Sequence, residues 1–197
     1  MKRITHDTHN HHVSPATAPW VIVHLNCFTH PHLAHPHNVY YSLPMKTIGS
    51  IAAIALVFIY VIGAGAWVNT GDNWYRTLNA PSWQPPDFIF GIIWPYNFII
   101  LAVAGVIVAN RSSNSATLLF LSFMALSIAS ALTWAFQFYR PHNLGIATIA
   151  LALCAALTIP LLVITARASI PAAIALIPYQ LWLITAATLS YSYMRRN

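Results

Sequence analysis

The side chains that perform most acid–base and nucleophilic chemistry are scarce in this sequence. Glutamate is absent, and the acidic residues are Asp7, Asp72 and Asp87 alone. No acidic pair, nucleophile–base set or metal-ligand spacing lies within the long apolar stretches, so no catalytic residue and no metal site is assigned there. Cys27 and Cys154 stand far apart and suggest neither a disulfide framework nor a zinc pattern. What the sequence does supply is aromatic surface at regular spacing. Trp67, Trp74, Trp83 and Trp94 crowd into or just before the stretch 74–94, in which Pro81, Pro85 and Pro86 keep the chain bent. Such rings favour a membrane interface or an apolar cavity with a polar rim.

Two helical stripes extend this pattern. Trp94, Phe98, Leu101 and Gly105 fall at offsets of zero, four, seven and eleven, hence on one face. Tyr179, Trp182, Ala186, Leu189 and Tyr193 fall at zero, three, seven, ten and fourteen. A small residue between aromatics leaves room for a flat ligand, although ordinary packing produces such stripes too. A third aromatic group, Trp134, Phe136, Phe138 and Tyr139, closes another apolar stretch. The chemistry implied is binding by stacking, with Trp74, Tyr75, Trp83, Trp94, Phe98, Trp134, Tyr179, Trp182 and Ala186 as candidate ligand-binding residues.

The elements that must position these residues follow from composition. The chain is 58% hydrophobic and 6% charged, where soluble domains carry about 25% charged residues. More than twenty uncharged residues separate Lys46 from Asp72, Asp87 from Arg111, Arg111 from Arg140, Arg140 from Arg167 and Arg167 from Arg195. A membrane-spanning helix needs about 20. The expectation is an all-α membrane protein, a five-transmembrane-helix bundle with spans near 47–68, 88–110, 115–138, 144–166 and 171–194. An aromatic and proline-rich loop joins the first two.

Small residues at Gly49, Ala53, Gly63, Ala64, Gly65 and Ala66 suit helix packing within or between subunits. Pro95 should kink the second span or free a carbonyl. The fourth span, rich in Ala, Leu and Ile, reads as lipid-facing filler rather than part of a site. The formal charge of +6 is scattered singly at helix ends, which argues against nucleic acid and for interfacial anchors. Lys46, Arg111 and Arg167 fall on one side, Arg76, Arg140, Arg195 and Arg196 on the other; the slight excess puts the C-terminus and first loop in the cytoplasm.

Residues 1–44 form a separate region, holding nine of the ten histidines. They read as a disordered tail or as residues upstream of a true start at Met45, with a metal-binding tract as the sharper alternative.

The segments W-Y-R-T-L-N-A-P-S-W-Q-P-P at 74–86, F-G-I-I-W at 90–94 and P-Y-Q-L-W at 178–182 resemble the tryptophan-rich sensory protein family, also called the translocator protein or peripheral-type benzodiazepine receptor family. The resemblance covers about 45–197, and the family's usual length matches a chain beginning at Met45. It implies a five-helix bundle, often a homodimer, in a bacterial or organellar membrane. A cavity under the first loop would bind tetrapyrroles such as protoporphyrin IX, as ligand rather than required cofactor, and in some members cholesterol. Trp94 and Trp182 match tryptophans linked in bacterial members to photo-oxidative porphyrin breakdown, and Ala186 a small position that influences ligand binding. Leu189, Tyr191 and Arg195 match the sterol-recognition segment. The sequence departs from the family at Ala131 and Ser190, where asparagine is usual, at Pro95 for threonine, and at Ala80 for a basic residue. The function implied is a receptor or handling protein for tetrapyrroles with a sensory, regulatory or transport role, the alternatives being a light-dependent porphyrin-degrading enzyme or a small-molecule transporter.

Overall fold

The computed structural model describes residues 44–197, so the expectations for the histidine-rich tail lie outside the described residues. Six helices follow in order: α1 Met45–Trp67, α2 Asn73–Thr77, α3 Asp87–Arg111, α4 Asn114–Tyr139, α5 Leu144–Ala168 and α6 Ile170–Arg196. All but α2 are long and apolar enough to cross a membrane, each with ends no more than two residues from the span read from the charge intervals. The protein is a multi-pass integral membrane protein. The short α2 was not expected; it gives the first connection a helical turn, capped where Asp72 accepts from the Trp74 N–H.

The polar punctuation between spans sets the helix starts. Ser113, Asn143 and Ser169 each turn a side-chain oxygen to the backbone N–H three residues on, at Ala116, Ile146 and Ala172. These caps satisfy donors that a helix leaves open at its N-terminus. Pro171 follows the last of them at the start of α6, where its missing N–H costs nothing.

Packing within the bundle runs α1 on α3 and α4, α4 on α5, α5 on α6, and α6 back on α3. In lipid, helix association depends on close packing and interhelical hydrogen bonds, because the solvent is as apolar as the side chains. Small residues supply the first: a Cβ on Gly49 would stand 2.9 Å from Thr117 Cγ2, and one on Gly105 would stand 2.5 Å from Ala53 Cβ. The small face of α1 therefore packs within this chain at Gly49, Ala53, Gly63 and Ala64, whereas Gly65 and Ala66 are exposed. Hydrogen bonds supply the second. Asn110 donates to Ser50 at 3.1 Å, Tyr96 to the Ala175 carbonyl at 2.6 Å, and Gln180 Nε2 to the Ala155 carbonyl at 3.0 Å.

One expectation is corrected here. α5 is not lipid-facing filler; it has the largest buried share of the five spans. Its alanines let α4 and α6 close on it, Cys154, Leu161 and Thr165 are fully buried, and Leu151 reaches the cavity described below. Leucine facing lipid and leucine facing a helix are chemically alike in a membrane, so hydropathy alone does not separate them. The outward faces carry Phe58, Ile62, Ile92, Ile99 and Ile149, as a lipid-facing surface requires.

Candidate functional site

Toward the end of the bundle where α3 begins and α4 and α6 finish, the helices diverge around a cavity of about 310 Å³. The divergence follows from side-chain size. α1, α3 and α4 meet through Gly49, Ala53, Ala104 and Gly105 at one end, but through Tyr60, Trp94, Phe98 and Trp134 at the other. Trp94 lies at the centre of the aromatic wall, with ring centroids 6.4 Å from Tyr60, 5.7 Å from Phe98 and 6.4 Å from Trp134. Tyr60 meets Phe98 edge-on at 5.0 Å. On the α6 side Trp182 packs edge-on against Phe90 at 5.1 Å, with Ala186 one turn further along the same wall. Edge-to-face and tilted pairs of this kind hold rings in place and leave faces available for stacking.

Pro95 contributes without breaking its helix. α3 is continuous from Asp87 to Arg111, yet Pro95 has no N–H to offer the carbonyl four residues earlier. That carbonyl belongs to Gly91, which itself lines the cavity.

The mouth is polar and bound together by hydrogen bonds. Tyr193 donates its hydroxyl to Gln84 Oε1, and the Tyr75 hydroxyl lies 3.5 Å from it. The Asn79 N–H donates to Asn197 Oδ1 at 2.8 Å, which ties the first connection to the end of α6. Arg140 reaches across to the Ala66 carbonyl at the end of α1, 3.2 Å away. Thr70, Asp87 and Tyr139 complete the polar edge. Among the described residues, Asp87 is the only charged one in the lining, and its place in the first turn of α3 suits the positive end of the helix dipole.

The aromatic-walled cavity is thus lined from all five spans and, through Thr70 and Tyr75, from the first connection. Residues 52–196 match the TspO/MBR family. This chain belongs to the TspO/MBR family. Among its relatives, the tryptophan-rich protein TspO of Bacillus cereus is 33% identical over 125 residues, which are 64% of this chain and 81% of that one. The uncharacterized membrane protein YtaB of Bacillus subtilis is 29% identical over 154 residues, 77% of this chain and 98% of its own. The translocator protein of Homo sapiens is 27% identical over 129 residues, 64% and 76% respectively.

In this TspO/MBR protein the predicted residues separate into two groups. Tyr75, Trp94, Phe98, Trp134, Tyr179, Trp182 and Ala186 line one cavity, and Leu189 lines it with them. Trp74 sits one layer behind, against Phe138 and stacked at 3.7 Å on His142 of the α4–α5 turn. Trp83 is 45% exposed and outside the lining. It belongs to the exposed surface of the first connection rather than to the wall. Leu189 and Tyr191 are two residues apart, about 200° around a helix, so Leu189 faces the cavity while Tyr191 is 50% exposed. Arg195 is exposed as well. The three residues of the sterol segment do not converge on one surface.

The sequence reading missed Asn97, Tyr60, Phe90 and Leu151, all in the lining. For Asn97 a signal was present. It is the one amide in the apolar body of α3 before Ala109, and a polar residue deep in a membrane span marks a functional candidate. Ser190, where the family usually has asparagine, bonds Thr148 at 3.1 Å instead, while Ala131 is simply buried in the core.

Proposed function

We propose that this protein is a membrane receptor or handling protein for tetrapyrroles, with protoporphyrin IX as the representative ligand and a sensory, regulatory or transport role. The observation that carries the reading is the wall formed by Trp94, Trp134 and Trp182 around one apolar cavity with a hydrogen-bonded polar mouth. A porphyrin is flat, with apolar faces and two carboxylates on one edge. Its rings can lie against the indoles while the carboxylates remain at the mouth, as a mostly apolar pocket with few polar groups requires. Arg76 is exposed on the connection and is the cation closest in sequence to Tyr75, so it is the candidate partner for a carboxylate there. The cavity volume of about 310 Å³ lies at the lower end of the roughly 300–1,000 Å³ typical of ligand sites. The macrocycle therefore fills it and leaves its edge outside. The names of the relatives, tryptophan-rich and translocator, accord with this reading.

The test is a titration of protoporphyrin IX into the detergent-solubilised protein, followed by tryptophan quenching. Saturable quenching that weakens in the Trp94→Phe plus Trp182→Phe variant is expected. Quenching unaffected by that double change would count against the assignment.

A further inference from the structure

A second cavity, of about 240 Å³, opens where α1 ends and the first connection begins, against the end of α4. It shares only Val68 and Tyr139 with the aromatic cavity, and its character is opposite. Gly65, Ala66 and Trp67 bring the last carbonyls of α1 to its edge. Such carbonyls have no donor within their own helix and stand at the negative end of its dipole. Among the described residues, Arg140 and Asp72 are the charged members of this lining. Each has taken a backbone partner: Arg140 donates to the Ala66 carbonyl at 3.2 Å, and Asp72 accepts from the Trp74 N–H at 3.2 Å. These bonds engage one of the five N–H groups of a guanidinium and one of the several lone-pair sites of a carboxylate. Both charges therefore keep capacity for a further partner.

The surroundings of this cavity are those of a bilayer. α1 and α4 both end at it, so it lies at the end of two membrane spans. One turn before Arg140 on α4 stands Phe136, 42% exposed, and one turn before Ala66 on α1 stands Ile62, 69% exposed. Trp67 meets Phe136 edge-on at 5.5 Å. The polar cavity thus continues directly into apolar outer surface. A lone anion on Arg140 would also meet Asp72 and the negative end of α1, and a lone cation on Asp72 would meet Arg140. The two charges sum to zero, so the group that complements both is a zwitterion. Guanidinium matches phosphate in geometry, and a primary ammonium supplies three donors for a carboxylate and backbone carbonyls. We propose that this cavity holds the headgroup of a bilayer phospholipid carrying a phosphate and a primary ammonium, as in phosphatidylethanolamine. The phosphate lies on Arg140, the ammonium on Asp72 and the α1 carbonyls, and the acyl chains run past Phe136 and Ile62. A choline headgroup has no N–H to donate, and a glycerol headgroup has no cation to set against Asp72.

The experiment offers the purified full-length protein, delipidated in detergent, equal concentrations of dioleoyl phosphatidylethanolamine, phosphatidylcholine and phosphatidylglycerol, and counts the lipids retained by native mass spectrometry. The acyl chains are identical, so any preference belongs to the headgroup. The wild type should retain the ethanolamine lipid about five- to tenfold more tightly than either of the others, a partly exposed charge-assisted hydrogen bond being worth less than a buried one. Asp72→Asn preserves the cap of α2, since asparagine caps as well as aspartate, and should abolish the preference over the choline lipid. Arg140→Gln should weaken retention of both zwitterionic lipids alike. Arg111→Gln removes one exposed charge at the other end of the bundle and should change neither. Soluble glycerophosphoethanolamine, the same headgroup without acyl chains, should compete at least tenfold less strongly than the lipid. Equal retention of the three lipids by the wild type, or preference for either of the other two, would overturn the proposal however the variants fold. An ethanolamine preference that survives Asp72→Asn undiminished would overturn it as well. Competition by glycerophosphoethanolamine at the lipid's own strength would overturn a bilayer lipid as the occupant.

Discussion

Two glycines of α3 stand in opposite surroundings. A Cβ on Gly105 would meet Ala53 Cβ at 2.5 Å, whereas one on Gly91 would meet nothing within 4 Å. Fourteen residues separate them, about 21 Å along the axis. At the first, α3 is sealed to α1 by residues too small to hold their backbones apart; at the second, it borders the cavity with open space beside it. The lesson concerns how an apolar cavity stays open in a membrane. A close-packed seam fixes the helix positions at one end, and the rings, braced against one another, keep the other end from collapsing onto itself. Neither half is explained by hydrophobicity, since lipid offers the same environment.

The most severe way to break this contrast is leucine at each glycine. Gly105→Leu should lower stability by at least the roughly 1–3 kcal/mol typical of overpacking, read as thermal unfolding in detergent by circular dichroism. Gly91→Leu should leave the unfolding temperature close to wild type and weaken porphyrin binding. Comparable destabilisation at both positions would erase the distinction.

Alanine at the same positions sharpens it with a smaller change. Removing glycine from a helix interior is worth about 1 kcal/mol, and Gly91→Ala should gain a stabilisation of that order because its Cβ enters open space. Gly105→Ala should be net destabilising, because Ala53 must move aside. Opposite signs from one chemical change are the expected outcome.

Smaller again is the hydrogen bond between Thr148 and Ser190, which joins α5 to α6 beside the cavity. Thr148→Val keeps the shape and removes the bond. A loss of about 0.6 kcal/mol, the average for such bonds within membranes, is expected, with porphyrin affinity unchanged in the same preparation.

The smallest net change from wild type is expected at the turn between α4 and α5. His142 holds a left-handed backbone, φ 59°, while stacking on Trp74. His142→Gly relieves a strain of roughly 1–2 kcal/mol and loses a stack of roughly 0.5–1.5 kcal/mol, so its stability should lie near wild type. His142→Ala keeps the strain and loses the stack, and should be the less stable of the two by the amount of that strain.

The legible parts of this molecule were those written as intervals and periods. Charges separated by more than twenty uncharged residues located all five spans, and the offsets in α3 and α6 placed Trp94, Phe98, Trp182 and Ala186 on faces that border one cavity. A period identifies which side of a helix a residue occupies, but not which neighbour that side faces. Hence α5 read as filler although it has the largest buried share of the five spans, and Trp83 read as a cavity ring although it is exposed on the first connection, outside the lining. Tyr60 and Leu151 reach the cavity from spans whose sequences gave no aromatic stripe, so only the packing of α1 and α5 against α3, α4 and α6 discloses them. Asn97 was visible as a lone amide in an apolar span, but only the packing of α3 discloses that it lies in the lining.

The most direct test of the open half of the bundle is the protoporphyrin IX affinity of Ala186→Leu, measured with its unfolding temperature. Ala186 lines the cavity one turn from Trp182, and leucine there places three more carbons where a flat ligand would lie. If that overpacking costs the bound state about 1–3 kcal/mol, affinity should fall about five- to a hundredfold. Stability should change far less, since without ligand the added carbons enter open volume. A weakened dissociation constant with a preserved unfolding temperature is the predicted result; unchanged affinity, or affinity and stability lost in proportion, would contradict the account.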